Sequence, residues 1–435
     1  MKYKLVRSAI NLMQFDKFQG NSDRQRTWFC FCTSVLFFPL FPAAGALGLV
    51  IAIGIIWRTS YQEILQSYLS RALIGLTGIL VLSSAIAEYP TEAWLGLANF
   101  VPYFALFLAF RCLFTQPKQL EQLSWLLVLP SLPIVLLGLG QLLFVWDTPL
   151  WLESILGWEL VPLGVPPGRM SSVFNYTNFL AIYLAIALVL ALGLWLKNWQ
   201  RSINFKIQIF LTIILLADIS GLILTSSRNA WGLAIFALMA YAGYLGWRWL
   251  IWGITGVAIA ILWASFVPKM GGTQLRQIVP RFIWTRLSDR LHERPVETLR
   301  ITQWQFCSDL IKDRPLFGWG LRNFSPLYEA KYNFWLGHPH SLFLMFGAEA
   351  GTIALLLLLS IIGGIMFQAV RVLSTWRDRE SQLIFFSYLV AFTACILFNL
   401  ADVTIFDLRV NTIIWIMLAA ISGITSSQSQ TRLPS

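Results

Sequence analysis

Charge-poor apolar stretches of about 15–25 residues, the length needed to cross a hydrocarbon core of roughly 30 Å as helix, alternate along this chain with short polar segments. They run near 28–42, 43–57, 72–87, 93–114, 122–146, 177–196, 207–225, 230–247, 249–267, 341–370, 383–401 and 411–425. Backbone groups inside lipid must be satisfied within the segment, which selects helices over strands. The pattern predicts an all-α fold, a polytopic integral membrane helical bundle of about 12 transmembrane helices. Two polar stretches are too long to be turns. One, near 147–176, carries Asp147, Trp151, Glu153, Trp158, Glu159 and a Pro/Gly-rich run from Pro162 to Gly168; the other is 269–337. No repeat of fixed period runs through the chain, which weighs against an inverted-repeat transporter.

Composition agrees with this reading. Apolar residues make up 57% of the 435 and charged residues 12%, against about 45–50% and 25% in soluble domains. The formal charge of +11 does not point to nucleic acid, because the cations sit between apolar stretches rather than on one face or in one run. The cysteines Cys30, Cys32, Cys112, Cys307 and Cys395 are scattered and, apart from one Cys-x-Cys, show no metal or redox spacing. They read as packing residues.

Lysine and arginine in short loops favour the cytoplasm. With the N-terminus inside, most short-loop cations fall on inner segments, including Arg58, Arg71, Lys118, Lys197, Arg201, Lys206, Arg371, Arg377 and Arg379. The outer short loops hold Arg169, Arg228 and Arg409. The expected organisation is a basic cytoplasmic N-terminus over 1–27, membrane helices over 28–268, a large, partly helical periplasmic loop over 269–337, C-terminal membrane helices over 338–425, and a polar, disordered tail over 426–435. The expected location is the bacterial inner membrane, and the first apolar segment is too long for a cleavable signal.

Candidate chemistry gathers at the outer ends of the helices. Arg169 closes the first outer loop and leads into a span with Asn175 and Asn178, three apart and so expected on one helix face. Arg228 ends the turn Thr225-Ser-Ser-Arg, where a guanidinium fork beside hydroxyls suits phosphate oxygens. In the large loop, cations outnumber the acids Asp289, Glu293, Glu297, Asp309, Asp313 and Glu329. From Arg300 onward, Ile301, Trp304, Cys307 and Ile311 recur at helical spacing, predicting an amphipathic helix along the membrane face. Pro315-Leu-Phe-Gly-Trp-Gly320 then breaks it. His338-Pro-His340 precedes the next span, with Glu349 nine residues into it. No Asp, Glu or Cys lies at ligand spacing from that pair, so no metal is expected, and a histidine is suited to take a proton from an attacking hydroxyl. Asp402, Asp407, Arg409 and Asn411 read as mutually paired charges at the last outer turn.

Taken in order, Arg169 before an Asn-containing span, Ser-Arg228 in a tight turn, Arg300 with Trp304, Pro315–Gly320, and His338-Pro-His340 with Glu349-Ala-Gly351 resemble the O-antigen ligase and O-antigen polymerase superfamily. The resemblance covers about 165–355 in motif and the whole chain in hydropathy. It implies transfer of a glycan from an undecaprenyl-pyrophosphate donor to a sugar hydroxyl, on another glycan or a lipid-A core, at the outer face of the inner membrane and without metal or cofactor. It makes Arg169 and Arg228 pyrophosphate ligands, Arg300 a further phosphate or acceptor contact, and His340, or else His338, the base. A second class, a membrane transporter of a small anion such as bicarbonate, would require polar residues at mid-membrane depth.

Overall fold

The computed structural model describes residues 22–201, 204–288 and 295–430. The basic segment before Ser22, the loop residues Asp289, His292 and Glu293, and the last five residues lie outside the described part. The membrane helices before the large loop are α1 (Ser22–Phe37), α2 (Pro42–Gln66), α3 (Tyr68–Ala85), α4 (Pro90–Gly96), α5 (Val101–Leu113), α6 (Pro117–Val128), α7 (Ser131–Leu143), the short loop helix α8 (Leu150–Leu156), α9 (Thr177–Arg201), α10 (Phe205–Leu224), α11 (Arg228–Leu245) and α12 (Arg248–Phe266). In the loop lie α13 (Arg281–Ser288), α14 (Arg300–Asp313) and α15 (Phe324–Tyr332). The chain finishes with α16 (Leu342–Ser374), α17 (Arg379–Leu400) and α18 (Leu408–Gln430). Among the described residues there is no strand.

All twelve apolar stretches fall largely in helices, and among the described residues ten helical segments are long and apolar enough to cross a membrane. The two outside that set have physical reasons. Helix α1 has 16 residues, and α11 spends its first turn on Arg228 and Asn229. Two spans are composite: α4 and α5 continue across a tight turn, and α6 and α7 continue across Leu129 and Pro130. The polar C-terminus differs from expectation, since α18 continues to Gln430. Arg111 donates to Ser426 Oγ, and the Ser427 hydroxyl donates to the Thr115 carbonyl at 2.8 Å.

Helices α9, α17 and α18 form the middle and are buried along most of their length, while α2 and α12 present most of theirs to the surroundings. The outward faces carry Leu47, Val50, Trp249, Trp252 and Val257, side chains suited to lipid rather than water. At the end carrying the N-terminus of α1, Lys197 pairs with Glu121 at 2.6 Å and Glu380 at 3.6 Å.

The large loop folds back onto the opposite end around a second apolar cluster. Phe306, Cys307 and Leu310 of α14 pack with Phe324, Tyr328 and Ala348. Helix α14 was expected from its periodicity, but the buried stripe is different, and Ile301 faces outward. The reason is a neighbour in the protein: α14 lies on α16 and α15 rather than along lipid.

Helix α16 is broken at Gly351, whose φ of +86° a side chain would strain. A Cβ there would also lie 2.1 Å from the Leu316 carbonyl oxygen. The carbonyls released by the break are recaptured by the Gly-Trp-Gly turn. Trp319 N donates to Ala348 O at 3.0 Å and Gly320 N to Glu349 O at 2.8 Å, while Thr352 N donates to Pro315 O at 2.8 Å. The buried Glu349 side chain accepts from Phe324 N at 3.1 Å. The turn is also tied to the start of α4, with Asn323 accepting from Tyr89 N at 2.7 Å and Glu88 paired with Arg314 at 3.0 Å. These links set the position of the chain that carries His338 and His340.

Candidate functional site

Four segments distant in sequence meet at the loop-covered end of the bundle. The first is the descent from Arg169 into α9. Gln141 organises it, accepting from the backbone of Ser171 at 3.1 Å and Ser172 at 2.9 Å and donating to Val161 O at 2.8 Å. Helix α9 begins at Thr177, so Asn178 lies in its first turn while Asn175 lies before it and is exposed. The expected pair of amides on one face is therefore not formed, and Asn178 alone points inward.

The second segment is the turn between α10 and α11. The Thr225 carbonyl accepts from Arg169 Nε at 2.9 Å and from the Thr177 hydroxyl at 3.0 Å. Ser226 has a φ of +50°, and Arg228 is the first residue of α11. A guanidinium at the positive end of a helix dipole is unfavourable by itself.

The third and fourth segments are His338–His340, just before α16, and the connection from α17 to α18. His340 Nδ1 lies 3.2 Å from Asp402 Oδ1, and the other oxygen of Asp402 accepts from Asn178. Asn178 Oδ1 in turn accepts from Arg169 Nη2 at 3.3 Å. An unbroken chain of hydrogen bonds thus runs from Arg169 through Asn178 and Asp402 to His340. Backbone bonds hold its members in place: Leu342 N donates to Asp402 O at 3.1 Å, and Asn229 Nδ2 donates to Ala401 O at 3.1 Å. His340 itself has a φ of +49°, an unfavoured conformation for a non-glycine residue, of the kind that collects at functional sites.

His338 is placed differently. Its Nδ1 accepts from His340 N at 3.2 Å, and its ring stacks on Phe406 with centroids 5.9 Å apart. Burial pushes its pKa down to about 4, reinforced by the charges of His340 and Arg300 and opposed by Asp402. Arg300 therefore belongs to the same electrostatic neighbourhood. Helix α14 is anchored there by Trp304, whose indole N–H donates to Pro339 O at 3.1 Å. For Asp402, burial raises the carboxyl's pKa, but the hydrogen bond from His340 and the charges of both histidines outweigh it and leave it below the usual carboxylate range. The structure thus gathers Arg169, Arg228, Arg300, His338 and His340 at one end of the bundle. His292 lies outside the described residues.

Two expectations are corrected here. Asp402 does not pair with Arg409, which instead meets Asp407 at 3.3 Å, donates to Val173 O at 2.8 Å and lies over the Phe174 ring. The histidine pair does have an acidic neighbour, because His338, His340 and Asp402 present ligand-type atoms within 4.8 Å of one another. Sequence spacing could not reveal it, as Asp402 is 62 residues from His340. In this arrangement His340 Nδ1 and both Asp402 oxygens are engaged in hydrogen bonds within the cluster, as is His338 Nδ1. A metal ion would have to displace some of them or use the remaining imidazole nitrogens.

Among solved structures, this chain is similar to one from a peptidoglycan synthase complex, described for its structural coordination of polymerization and crosslinking. The match has a TM-score of 0.40 and 14% identity, covering 89% of this chain and 98% of that one. No curated protein sequence matches. Residues 210–359 match the family model described as O-antigen ligase, a stretch that contains Arg228, Arg300, His338, His340 and Glu349. Over that stretch, about a third of its length, the chain is similar to the O-antigen ligase family.

Proposed function

We propose that the protein transfers a glycan from a lipid-linked pyrophosphate donor, of the undecaprenyl class, to a hydroxyl of a glycan or lipid-A core acceptor. In this reading the reaction takes place on the periplasmic face of the bacterial inner membrane. The observation that carries it is the hydrogen-bonded line from Arg169 through Asn178 and Asp402 to His340, beside Arg228 at a helix start. It puts fixed positive charge and an oriented imidazole within one cluster.

Each part has a chemical task. As the bond from sugar to pyrophosphate breaks, negative charge develops on the leaving phosphate, and fixed guanidiniums stabilise that charge without reorganising. Arg169 donates to the Thr225 carbonyl and to Asn178 Oδ1, which fixes the direction of its guanidinium. Arg228 adds its fork at the positive end of α11, and Arg300 adds charge from the loop side. Asp402 holds the Nδ1–H of His340, leaving Nε2 to accept the acceptor hydroxyl's proton as oxygen attacks the anomeric carbon. His338, held neutral by burial down to about pH 4, supports the His340 backbone and adds no charge that would suppress protonation of its neighbour. Among the described residues, Asp402 is the carboxylate hydrogen-bonded within the cluster, whereas glycoside hydrolysis uses two carboxyls across the bond.

The test is transfer of a lipid-linked glycan to an acceptor by the purified protein in proteoliposomes. Robust transfer supports the reading, and folded protein with no transfer to either acceptor type overturns it. Sidedness is tested separately with Gln305→Cys on α14, where an impermeant thiol reagent should label intact spheroplasts. Native Cys307 is a quiet background, because burial raises its thiol pKa well above the usual range. Labelling only after lysis would refute the outward placement.

A further inference from the structure

Another carboxylate lies about two helical turns along α10 from Thr225, inside the membrane-spanning part of the bundle. Asp218 on α10 is fully buried, and neither of its oxygens has a hydrogen-bond partner among the described residues. No charged side chain is among the groups acting on it there. The groups facing it are the Ser131 hydroxyl of α7 and, more weakly, Tyr183 of α9. One turn further along α10, Gly221 packs against Val135 and Leu184, which fixes the register that places Asp218 beside Ser131.

Ser131 opens α7 just after the break between α6 and α7 at Leu129 and Pro130. Pro130 and Pro133 have no N–H to return to the carbonyls of Leu126 and Leu129, four residues back. Two further carbonyls at the break are met by side chains. Ser131 donates to Val128 O at 2.9 Å and Tyr183 donates to Leu127 O at 3.0 Å. Through Ser131, which faces Asp218 and donates to Val128 O, the broken membrane helix adjoins the buried carboxylate, an arrangement suited to a small cation. A lone ionised carboxylate is not tolerated in such surroundings without a compensating charge.

We infer that Asp218, the Ser131 hydroxyl and the released carbonyls between α6 and α7 form an intramembrane cation site, loaded with a proton or a sodium ion. The site is separate from the histidine cluster and does not rest on the proposed glycan transfer.

Purified full-length protein in lipid nanodiscs is unfolded thermally in sodium chloride and in choline chloride at equal ionic strength, with Asp218→Asn as the comparison. Its infrared spectrum is recorded as wild type minus variant. A midpoint that rises with sodium in wild type and is flat in the variant establishes the sodium-loaded form. A midpoint indifferent to sodium, together with a protonated-carboxyl stretch absent from the variant, establishes the proton-loaded form. Neither signal, or both unchanged in Asp218→Asn, overturns the inference. If the Asn variant does not fold, Ser131→Ala keeps the carboxyl and removes the hydroxyl facing it. It should shift the carboxyl band or raise the sodium concentration at half-effect several-fold, and no change in either would again overturn it.

Discussion

The substitution Asp402→Asn isolates the orienting role of the carboxylate while keeping its size. Asp402 receives three donors, the His340 Nδ1–H at 3.2 Å and Val403 N at 2.9 Å on one oxygen and Asn178 Nδ2 on the other. An asparagine offers one acceptor and one donor, so either the side shared by His340 and Val403 N or the side facing Asn178 is left with a donor against a donor. If its oxygen faces His340, its amide meets Asn178 donor to donor. Asn178 must then turn over, which withdraws its oxygen from Arg169 Nη2. If its amide faces His340, the imidazole must carry its proton on Nε2, and that nitrogen can no longer accept one. Leaving a buried donor unmatched costs about 1–3 kcal/mol, and losing a general base costs roughly 10²–10⁴ in rate. The expected result is a fall in kcat of about 10²–10⁴, with a smaller change in KM for the acceptor. Asp402→Glu should recover part of it. The assay is initial-rate transfer in proteoliposomes, with each variant checked for a native size-exclusion profile. An asparagine variant that keeps more than about half of wild-type kcat would mean that His340 is not the base, or is not oriented by Asp402, because either term predicts a larger deficit.

Arg169→Lys and Arg228→Lys keep the charge and lose the fork, so transfer in the same assay should drop by about 10²–10³ in each; near-normal rates would remove them from the phosphate site. Activity should survive a chelator, and the purified protein should carry no stoichiometric metal by elemental analysis, because donor atoms of His338, His340 and Asp402 are engaged with one another and with Asn178. Bound metal in stoichiometric amount would transfer the mechanism to that cluster. His338 has a folded pKa of about 4 against 6.5 for the free group, so as pH falls through that window the unfolded chain takes up a proton that the folded chain does not. Its contribution, up to about 3 kcal/mol, is present above about pH 6.5 and lost as pH falls toward 4. His338→Asn should therefore lose less apparent thermal stability than wild type between pH 7 and pH 4.5, with Asp402 common to both, and equal losses would refute the assignment.

Hydropathy made the helices legible because a membrane imposes one rule on every span: apolar side chains and internally satisfied backbone. All twelve stretches are largely helical, and Arg169, Arg228, Arg300 and the two histidines could be picked out as polar groups at span ends. Asp402 could not be connected to His340, because a distance of 62 residues carries no spacing signal. It was grouped with Arg409, nearer in sequence, although Arg409 is held by Asp407, Val173 and Phe174. The buried face of α14 was misread for a related reason. Periodicity gives the helix but not its neighbour, and here the neighbour is α16 rather than lipid. The break at Gly351 is visible only once the Gly-Trp-Gly turn is seen receiving the carbonyls of Ala348 and Glu349. Asp218 was passed over inside an apolar stretch whose mean character hid a single charge.

Three buried acids show why position in a span says little about role until partners are known. Glu349 accepts from Phe324 N, and its backbone carbonyl receives both Gly320 N and the Ser83 hydroxyl. It acts as a staple between the broken α16 and the loop, and every contact it makes is structural. Asp402 accepts from an imidazole and from an amide that is itself held by an arginine, so its charge is shared along a line ending on a titratable ring. That line is useful because the ring remains partly exposed while the carboxylate is not, with side-chain exposures of 25% and 4%. Asp218 has no such partners among the described residues, and its charge must be met by something that can enter and leave. On the proposals above, the same functional group is brace at Glu349, orienter at Asp402 and cation ligand at Asp218, in step with the number of fixed donors each meets. For Glu349 the donor is Phe324 N of the loop, and for Asp402 the donors are His340, Asn178 and Val403 N.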